Sequence, residues 1–321
     1  MAKLPKSAKV VIIGQGGIVG ASVAHHLIEQ GWDDIVGLEK SAIPSDISST
    51  SHASDFCYMT AHDKMTVYTT NYSREFYSKR GNYLRKGGME VARVGDDERM
   101  EELKRKVGSG KAFGTNASLI TPQQAKELFP LVDETKIQGA MWDPDAGLVV
   151  PRSQKVAGDL VEEAVATGKL QAFANTPATR IDVQNGRVRG VETEKGYIET
   201  EYVVLSTGIW GPLMADTAKS TLPLMPVEHP LLFFGPYEAL EGTGEELVYP
   251  LFRDQGNSAY VRDTGDPKTT EGGRIEWGYY EEHDPRLVYA KDIAEPEEAR
   301  LSPSMRDLKL EQVMEAYEKA M

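Results

Sequence analysis

The stretch GQGGIVG, residues 14–20, has the residue types that suit binding of a dinucleotide. Glycines at a strand-to-helix turn let a diphosphate approach the backbone N–H groups of a helix N-terminus, where the helix dipole favours negative charge. Glu39 follows 19 residues after Gly20, where a carboxylate can accept hydrogen bonds from ribose hydroxyls. That carboxylate disfavours a 2′-phosphate and therefore NADP. A tight turn that binds no ligand is the alternative interpretation.

The glycine spacing departs from the usual G-x-G-x-x-G. Counted back from Gly20, the place of the first glycine is taken by Gln15; counted forward from Gly14, there is one residue too many. We therefore expect a looser turn over the diphosphate than the usual motif makes.

A second stretch, STSHASDF at residues 49–56, places His52 among small polar residues. A histidine in this setting contributes little to a core, and a solvated loop residue is the ordinary interpretation. A loop directly after the second strand of a nucleotide-binding unit can also lie along the cofactor, where small neighbours let an imidazole reach it.

A third stretch, VVLSTGIWG at residues 203–211, reads as a buried strand that runs into a glycine-containing turn. Alone this pattern is unspecific. Together with GQGGIVG and Glu39 it favours an FAD protein over a simple NAD dehydrogenase.

These stretches require elements that position them. Residues 8–14 form an apolar, β-branched run typical of a strand buried on both faces. A helical pattern follows as far as Gly31, with Ile18, Val23, Leu27 and Ile28 roughly on one helical face, and residues 33–40 read as a second strand. The sequence thus predicts a βαβ unit. Downstream patterns predict a strand and a helix within 82–107, a helix after Thr121, a long helix within 151–168, three strand-like pieces within 169–208 with an Asn-Gly hairpin turn, β-rich structure after Pro223 and a helix within 304–321.

Composition limits the class of protein. The 321 residues suffice for one large domain or two ordinary ones, and the net charge of −13 argues against nucleic acid or an anionic membrane as the main partner. No segment approaches the roughly 18 consecutive apolar residues of a membrane span. The single Cys57 excludes an intrachain disulfide framework, and no side-chain spacing resembles a metal site. The N-terminus has no signal-peptide pattern, so we expect a cytoplasmic protein.

The string from VVIIG through GLEK, with STSHA, GGMEVA, ITPQQAKELFP, DPDAGLVVPR and VVLSTGIWG, resembles the D-amino-acid-oxidase-type superfamily of FAD-dependent oxidoreductases. Within it the sequence is most similar to the group of dimethylglycine oxidase and dehydrogenase, sarcosine dehydrogenase and 4-methylaminobutanoate oxidase. The resemblance implies an α/β fold with a discontinuous Rossmann-like FAD-binding domain and a mixed, β-rich substrate domain. We expect the former at residues 1–87 and 147–222, the latter at 88–146 and 223–295, and a C-terminal helix at 296–321.

The resemblance also implies how FAD is held. In that group the histidine of the matching S-T-x-H-A segment is bonded covalently to the 8α-methyl of FAD, so we expect covalent attachment through His52. The expected cofactor-binding residues are Gly14, Gly16, Gly17, Ile18, Val19, Gly20, Glu39, Lys40, Ser49, Thr50, Ser51, His52, Ala178, Thr207, Gly208 and Trp210.

Two residues match the active-site residues of that group. His229 in MPVEHPLLFF corresponds to a histidine that faces the substrate, and Tyr260 in DQGNSAYVRD to an aromatic hydroxyl. Judged from the residues alone, a histidine between apolar stretches such as His229 is more often a hydrogen-bonded structural residue, and the alternative for Tyr260 is an ordinary strand aromatic. Arg253 and Arg262 flank Tyr260 and are candidates either for bidentate binding of a substrate carboxylate or for surface salt bridges.

The implied activity is oxidative demethylation of a small N-methylated amino acid, of the dimethylglycine, sarcosine or 4-methylaminobutanoate type, by hydride transfer to FAD. The amine must be neutral, because an ammonium has no lone pair to stabilise the developing iminium. Hydrolysis of the iminium would release formaldehyde and the demethylated amine.

Relatives of that group continue past the helix that matches LKLEQVMEAYEKAM, first with a segment that contacts the flavin and often with a folate-binding domain. Neither pattern occurs in this sequence, so a second chain that supplies one of them is an expected partner beside the substrate. The alternative function is a truncated, non-catalytic flavin-binding or assembly subunit. An NAD-dependent dehydrogenase is a third possibility.

Overall fold

The computed structural model describes residues 3–268, 272–280, 286–293, 308 and 310–320. The chain divides into two compact units. Unit 1 comprises Met1–Ala53, Pro151–Glu228 and Arg286–Asp307, and unit 2 comprises Ser54–Val150, His229–Pro285 and Leu308–Met321. Residues 54–87, which we expected in the FAD-binding domain, belong to unit 2.

Helices and strands are numbered in chain order. The described strands are β1 (Val10–Ile13), β2 (Ile35–Leu38), β3 (Phe56–Cys57), β4 (Tyr83–Arg85), β5 (Gly88–Arg93), β6 (Ser118–Ile120), β7 (Ile137–Asp143), β8 (Gly147–Val149), β9 (Leu170–Phe173), β10 (Ala178–Gln184), β11 (Arg187–Thr193), β12 (Gly196–Glu199), β13 (Tyr202–Leu205), β14 (Leu231–Phe234), β15 (Leu251–Asp254), β16 (Ala259–Asp263) and β17 (Ile275–Tyr279). The described helices are α1 (Ile18–Glu29), α2 (Lys64–Lys79), α3 (Asp97–Ala112), α4 (Pro122–Leu128), α5 (Ser153–Ala166), α6 (Gly211–Thr217) and α7 (Leu310–Ala320).

Unit 1 is built on a parallel sheet with the strand order β13-β1-β2-β9. All four residues of β1 and of β2 are buried, as expected for parallel strands covered on both faces. The predicted βαβ unit is confirmed, and with it the α/β fold class. A second, antiparallel sheet of β10, β11 and β12 packs its residues Ile181, Val191 and Ile198 into the same core as β1 and β2.

Two local expectations for unit 1 have different outcomes. The hairpin between β10 and β11 turns through Asn185 and Gly186 with φ of 51° and 74°, the two-residue turn that the Asn-Gly pair predicts. We had expected the larger apolar residues of α1 to form its inner face, but its buried residues are Gly20, Ala21 and Ala24. A glycine is needed at position 20 because the first turn of α1 lies close to the loop after β1: a Cβ on Gly20 would lie 2.1 Å from the carbonyl oxygen of Gly14.

Unit 2 contains a mixed sheet with the strand order β14-β17-β16-β15-β5-β7-β6. Side chains alternate between the two faces of this sheet along each strand, and a different helix covers each face. On one face Leu103 and Val107 of α3 pack with Ala92; on the other, Ala125 and Phe129 of α4 pack with neighbouring strand residues. The predicted N-cap at the start of α4 is confirmed by a complete capping box between Thr121 and Gln124.

The described part of the C-terminal helix is α7, whose Val313 packs with Trp277 of β17. Residues 296–307, 309 and 321 of that predicted helix lie outside the described residues. Within the part of the chain that the structure describes, no helix combines the length and the hydropathy needed to cross a bilayer.

Asp143, the first residue of the motif DPDAG, forms a buried hydrogen-bonded latch in unit 2. Asp143 is fully buried, and its carboxylate accepts hydrogen bonds from the backbone N–H groups of Met59 (3.1 Å), Thr60 (2.9 Å) and Asp145 (3.2 Å). The latch thereby holds the segment after β3 against the end of β7.

Replacing Asp143 with alanine is expected to lower the free energy of unfolding by about 3 kcal/mol, because buried N–H donors lose their acceptor. Urea denaturation of both proteins measures the change. Asp216→Ala, at an exposed position in α6, is the matched control and should stay within about 0.5 kcal/mol of the wild type. A similar small change for Asp143→Ala would contradict the latch.

Candidate cofactor and substrate sites

Unit 1 contains all the residues expected to bind FAD. Residues 14–20, which form a loop and the first residues of α1, follow β1. Glu39 and Lys40 follow β2, and residues 207–210 follow β13. These strands run parallel, so their carboxyl ends meet at one edge of the sheet, where open α/β sheets bind ligands. Ala178 lies elsewhere, at the start of β10 in the antiparallel sheet.

The glycine loop accommodates its additional residue by turning it inward. Gln15 is fully buried, its amide Nε2 lies 3.3 Å from the carbonyl oxygen of Gly20, and its side chain occupies space that a side chain at position 37 would need. A Cβ on Gly37 would lie 2.5 Å from Gln15 Cγ. Gly14 is also required, because its φ is +93° and a Cβ there would lie 2.3 Å from the Ser206 carbonyl oxygen.

Glu39 is buried, and its carboxylate already accepts hydrogen bonds within unit 1. Oε2 accepts from the Gly16 N–H (2.9 Å), and Oε1 accepts from the Ser41 N–H (3.1 Å) and hydroxyl (3.2 Å). A carboxylate offers about four acceptor positions, so capacity remains for a ribose hydroxyl. Because Gly16 is engaged by Glu39, a diphosphate must either exchange that bond or use other N–H groups of the loop.

The STSHA stretch is anchored at the N-terminus of α1. The N-cap residue of this helix, Gly17, has no side chain to cap it, and the Thr50 hydroxyl instead accepts a hydrogen bond from the Ile18 N–H at 3.1 Å. Ser51 donates to the carbonyl oxygen of Ser48 at 2.7 Å, which closes the 3₁₀-helix Ser49–His52. Thr50 therefore couples the position of the His52 loop to that of the glycine loop.

His52 is half-buried at the end of this turn. The Arg152 Nη2 donates to the carbonyl oxygen of Ala53 at 3.3 Å and so fixes the residue after the histidine. Burial, and to a smaller extent the positive charge of Arg152, lowers the pKa of His52 below its ordinary value of 6.5. The imidazole is therefore neutral at pH 7, and one ring nitrogen keeps a lone pair.

Several polar groups near the ends of these strands fit a polar cofactor. The side-chain oxygens of Ser48, Ser206 and Thr207 are buried and have no hydrogen-bond partner among the described residues. The indole N–H of Trp210 is also without one, and Lys40 Nζ lies 4.5 Å from the centroid of the Trp210 ring. Buried hydroxyls without a partner are rare in folded proteins, so this set of groups fits FAD.

Unit 2 contains both expected catalytic residues and a cavity of about 340 Å³. Its lining includes Arg99, Arg253, Gln255, Ser258, Tyr260 and Tyr280. This volume lies at the lower end of the range for small-molecule sites.

The cavity is formed on a row of residues that lie opposite each other on adjacent strands. Glu90 on β5 is opposite Arg253 on β15, Arg253 is opposite Tyr260 on β16, and Tyr260 is opposite Gly278 on β17. Opposed residues share one face of a sheet. The glycine makes room for the tyrosine ring, since a Cβ on Gly278 would lie 1.9 Å from Tyr260 Cζ.

Tyr260 is buried with its hydroxyl close to a second hydroxyl. Ser54 Oγ donates to Tyr260 Oη over a long distance of 3.4 Å, and the rings of Phe56 and Tyr280 lie 5.1 and 5.3 Å from the Tyr260 ring. Burial raises the pKa of Tyr260 to about 12, although the Ser54 hydrogen bond opposes the rise. Tyr260 is therefore a neutral phenol at pH 7 and acts as a hydrogen-bond donor rather than as a base.

His229 contacts the same aromatic group from the segment just before β14. Its ring lies 4.5 Å from that of Tyr280 in an edge-to-face arrangement. Although the side chain is exposed, partial loss of hydration lowers the pKa of His229 below its ordinary value of 6.5. A neutral imidazole at pH 7 is able to accept a proton.

The structure separates the two arginines that flank Tyr260. Arg262 is buried in an ion pair with Glu276, at 2.7 Å, and so is not available to a ligand. Arg253 has no acidic side chain within 4.0 Å among the described residues, and its guanidinium carbon lies 4.5 Å from the centroid of the Tyr58 ring. Of the two, Arg253 fits a substrate carboxylate.

Sequence reasoning missed Tyr280, which connects His229 to Tyr260. The pair Tyr279-Tyr280 at the end of a strand-like run was the available signal. Side chains of successive strand residues point to opposite faces, so one of the two tyrosines had to lie on the same face as Tyr260. Arg99 was also missed. It lies on α3, remote in sequence from the cavity strands, and its Nη2 lies 3.4 Å from the carbonyl oxygen of Gln255.

In a pH titration followed by NMR, the imidazole signals that disappear in His52→Gln and His229→Gln are expected to have midpoints below pH 6.5. Between each lowered pKa and 6.5 the unfolded chain binds more protons than the folded one. These histidines therefore contribute stability that is fully present above pH 6.5 and is lost as the pH falls towards the folded pKa. A midpoint at or above 6.5 would contradict the desolvation that lowers these pKa values.

Comparisons relate the chain to one protein family and to several known proteins. The model of one protein family, described as FAD dependent oxidoreductase, matches residues 9–317. The chain is 30% identical to the pyruvate dehydrogenase phosphatase regulatory subunit of Mus musculus, over 90% of this chain and 32% of that protein. It is 28% identical to sarcosine dehydrogenase of Homo sapiens, over 89% of this chain and 31% of that protein.

Two further relatives are bacterial. 4-Methylaminobutanoate oxidase (formaldehyde-forming) of Paenarthrobacter nicotinovorans is 29% identical, over 87% of this chain and 32% of that protein. Sarcosine oxidase subunit beta of an Arthrobacter species is 28% identical, over 46% of this chain and 36% of that protein. The chain thus spans about a third of the length of these curated relatives.

Among solved structures, L-proline dehydrogenase from P. horikoshii has a TM-score of 0.74 and is 27% identical, with 89% of this chain and 74% of that chain covered. The agreement extends over both units of the chain, so the fold class inferred from the sequence is confirmed.

Proposed function

Because the chain belongs to the family of FAD-dependent oxidoreductases, we propose that it oxidises the C–N bond of a small N-methylated amino acid. The proposed substrate is of the dimethylglycine, sarcosine or 4-methylaminobutanoate type. The observation that carries this proposal is the cavity of unit 2, where Arg253, Tyr260 and Tyr280 meet and His229 packs on Tyr280. The names of two relatives, a sarcosine dehydrogenase and a 4-methylaminobutanoate oxidase, support an N-methyl amine as the substrate class.

The cavity provides separate groups for the two ends of such a substrate. Arg253 presents a guanidinium without an acidic partner among the described residues, which suits a carboxylate. Tyr260, a phenol at pH 7, is a second donor on the same face of the sheet. Together they orient the carboxylate and leave the amine to the other side of the cavity.

The substrate amine must lose its proton before it is oxidised. His229 is neutral at pH 7 and accepts a proton from the ammonium group of the substrate. The resulting lone pair assists removal of hydride from the adjacent carbon. FAD would be held by the glycine loop, Glu39 and the residues after β13 and would accept the hydride, and His52 is the proposed point of covalent attachment.

The test of substrate binding is Arg253→Met. We expect the KM for sarcosine to rise about 10–100-fold with a smaller change in kcat, since one charge-assisted bidentate interaction is lost. Steady-state turnover with an artificial electron acceptor measures both constants. Arg189→Met, at an exposed position of β11, is the matched control. An unchanged KM for Arg253→Met would refute the proposed carboxylate site.

A second candidate function is a non-catalytic flavin-binding or assembly subunit. It is favoured by one relative, which is named a regulatory subunit. The two functions differ in one observation: a bound flavin that sarcosine, dimethylglycine and 4-methylaminobutanoate all fail to reduce would favour the second.

We also propose that the chain works in the cytoplasm together with a second polypeptide that supplies a further flavin-contacting segment or a folate-binding domain. One relative is named a beta subunit, which indicates that multi-subunit enzymes occur among the related proteins. Denaturing electrophoresis of the native assembly purified from its source tests for the second polypeptide, and an assembly that contains only this chain would contradict the proposal.

A further inference from the structure

A buried ion pair lies on the cavity face of unit 2. Glu90 is fully buried and Lys106 of α3 nearly so, and Lys106 Nζ lies 2.7 Å from Glu90 Oε2. The other oxygen, Oε1, has no hydrogen-bond partner among the described residues. A buried ion pair is a weak source of stability, because desolvation offsets most of the attraction. Stability alone therefore does not account for the pair.

The pair lies beside the proposed carboxylate-binding arginine. Glu90 is directly opposite Arg253 in the parallel register of β5 and β15, and Arg253 is in turn opposite Tyr260. The charges of Glu90 and Arg253 also both act on Tyr58: burial raises the pKa of this phenol, Arg253 opposes the rise, and Glu90 adds to it. The two charged groups are thus electrostatic neighbours.

We propose that Lys106 is a positioning residue that determines specificity for carboxylate substrates. By pairing with Glu90 it neutralises a carboxylate that would otherwise pair with Arg253, and it leaves the Arg253 guanidinium to the substrate. This inference rests on the proposed role of Arg253. The three groups together carry one positive charge, and removal of the lysine charge would leave none to attract an anion.

A purely structural role for the pair predicts something different. Loss of packing around α3 would lower the affinity of the cavity for all ligands by a similar factor, whatever their charge. If the pair keeps Arg253 available, loss of the Lys106 charge would lower the affinity for anionic ligands and leave the affinity for neutral ligands of the same shape unchanged. The ratio of the two affinities therefore separates the two roles.

The experiment uses the full chain loaded with FAD and two unreactive probes of similar shape, methoxyacetate and 2-methoxyacetamide. Calorimetry gives the dissociation constant of each probe, and the ratio of amide to acid measures selectivity for a carboxylate. In Lys106→Gln the glutamine side chain is still able to donate a hydrogen bond to Glu90 but carries no charge. We expect the ratio of the amide and acid dissociation constants to fall at least about tenfold. In Glu90→Gln/Lys106→Gln, where both charges are removed, we expect recovery to within about threefold of the wild type.

The controls separate this inference from the proposed function. If the wild type has no preference for the acid, or if Arg253→Met retains that preference, the proposed carboxylate site itself is wrong. If Arg253 is required but Lys106→Gln keeps the wild-type ratio, the inference about Lys106 is overturned. Should Lys106→Gln not fold, the remaining variants decide: Glu90→Gln and the double variant must retain selectivity for the acid, and its loss in either overturns the inference.

Discussion

Replacing His52 with alanine is expected to abolish covalent attachment of FAD. After acid precipitation the wild-type pellet should be yellow and heavier than the sequence by one FAD, whereas the variant pellet should be colourless. The physical reason is that the neutral imidazole of His52 keeps a lone pair at pH 7, held in place by the 3₁₀-helix that Thr50 anchors to α1. Intact mass spectrometry of the pellet measures the attachment.

His62→Ala is the matched control, since His62 is an exposed histidine paired with Glu102 in unit 2. It should leave the mass of the pellet at the value for protein plus FAD. A colourless wild-type pellet with free FAD in the supernatant would remove His52 from its proposed role and leave FAD binding intact. A yellow pellet for His52→Ala would place the attachment on another residue.

Gly278→Ala is expected to slow flavin reduction by the substrate about 100-fold, comparable to the loss of a positioned catalytic group. The added Cβ would lie 1.9 Å from Tyr260 Cζ, so either the tyrosine ring or strand β17 must move. If the ring moves, the Tyr260 hydroxyl leaves its position beside Ser54. If β17 moves, Tyr280, which follows that strand, is displaced from the Tyr260 ring. Stopped-flow reduction under anaerobic conditions measures the rate.

Gly108→Ala in α3 provides the control, because nothing lies within 4 Å of a Cβ at that position. Glycine in a helix interior lowers the free energy of unfolding by roughly 0.5–1 kcal/mol relative to alanine, so this variant should be slightly stabilised and fully active. If Gly278→Ala reduces its flavin at the wild-type rate, the position of the Tyr260 ring is not important for the reaction. Tyr260→Phe should be measured beside it, since it removes the hydroxyl without moving the ring.

Local patterns predicted much of the fold because the interactions behind them are local. The βαβ unit follows from four consecutive apolar residues at β1, the turn at Asn185-Gly186 from the backbone angles these residues tolerate, and the start of α4 from the hydroxyl of Thr121. Each depends on neighbours a few residues away. The inner face predicted for α1 was wrong because helical periodicity does not report distance: a Cβ at position 20 would lie 2.1 Å from the Gly14 carbonyl oxygen, and only the folded turn shows this.

The candidate site residues were predicted where a family motif or a strand end marked them. Whether each is paired with another side chain or available to a ligand depended on contacts distant in sequence. Arg253 and Arg262 are indistinguishable as letters beside Tyr260, and only the pairing of β16 with β17 engages Arg262 with Glu276. Tyr280 likewise became part of the site through the fold, by its contact with His229. Burial and neighbouring charge, which decide whether an ionisable group is available, arise when strands and helices pack. The sequence therefore predicted the kinds of groups at this site, while packing determined which of them are left for a ligand.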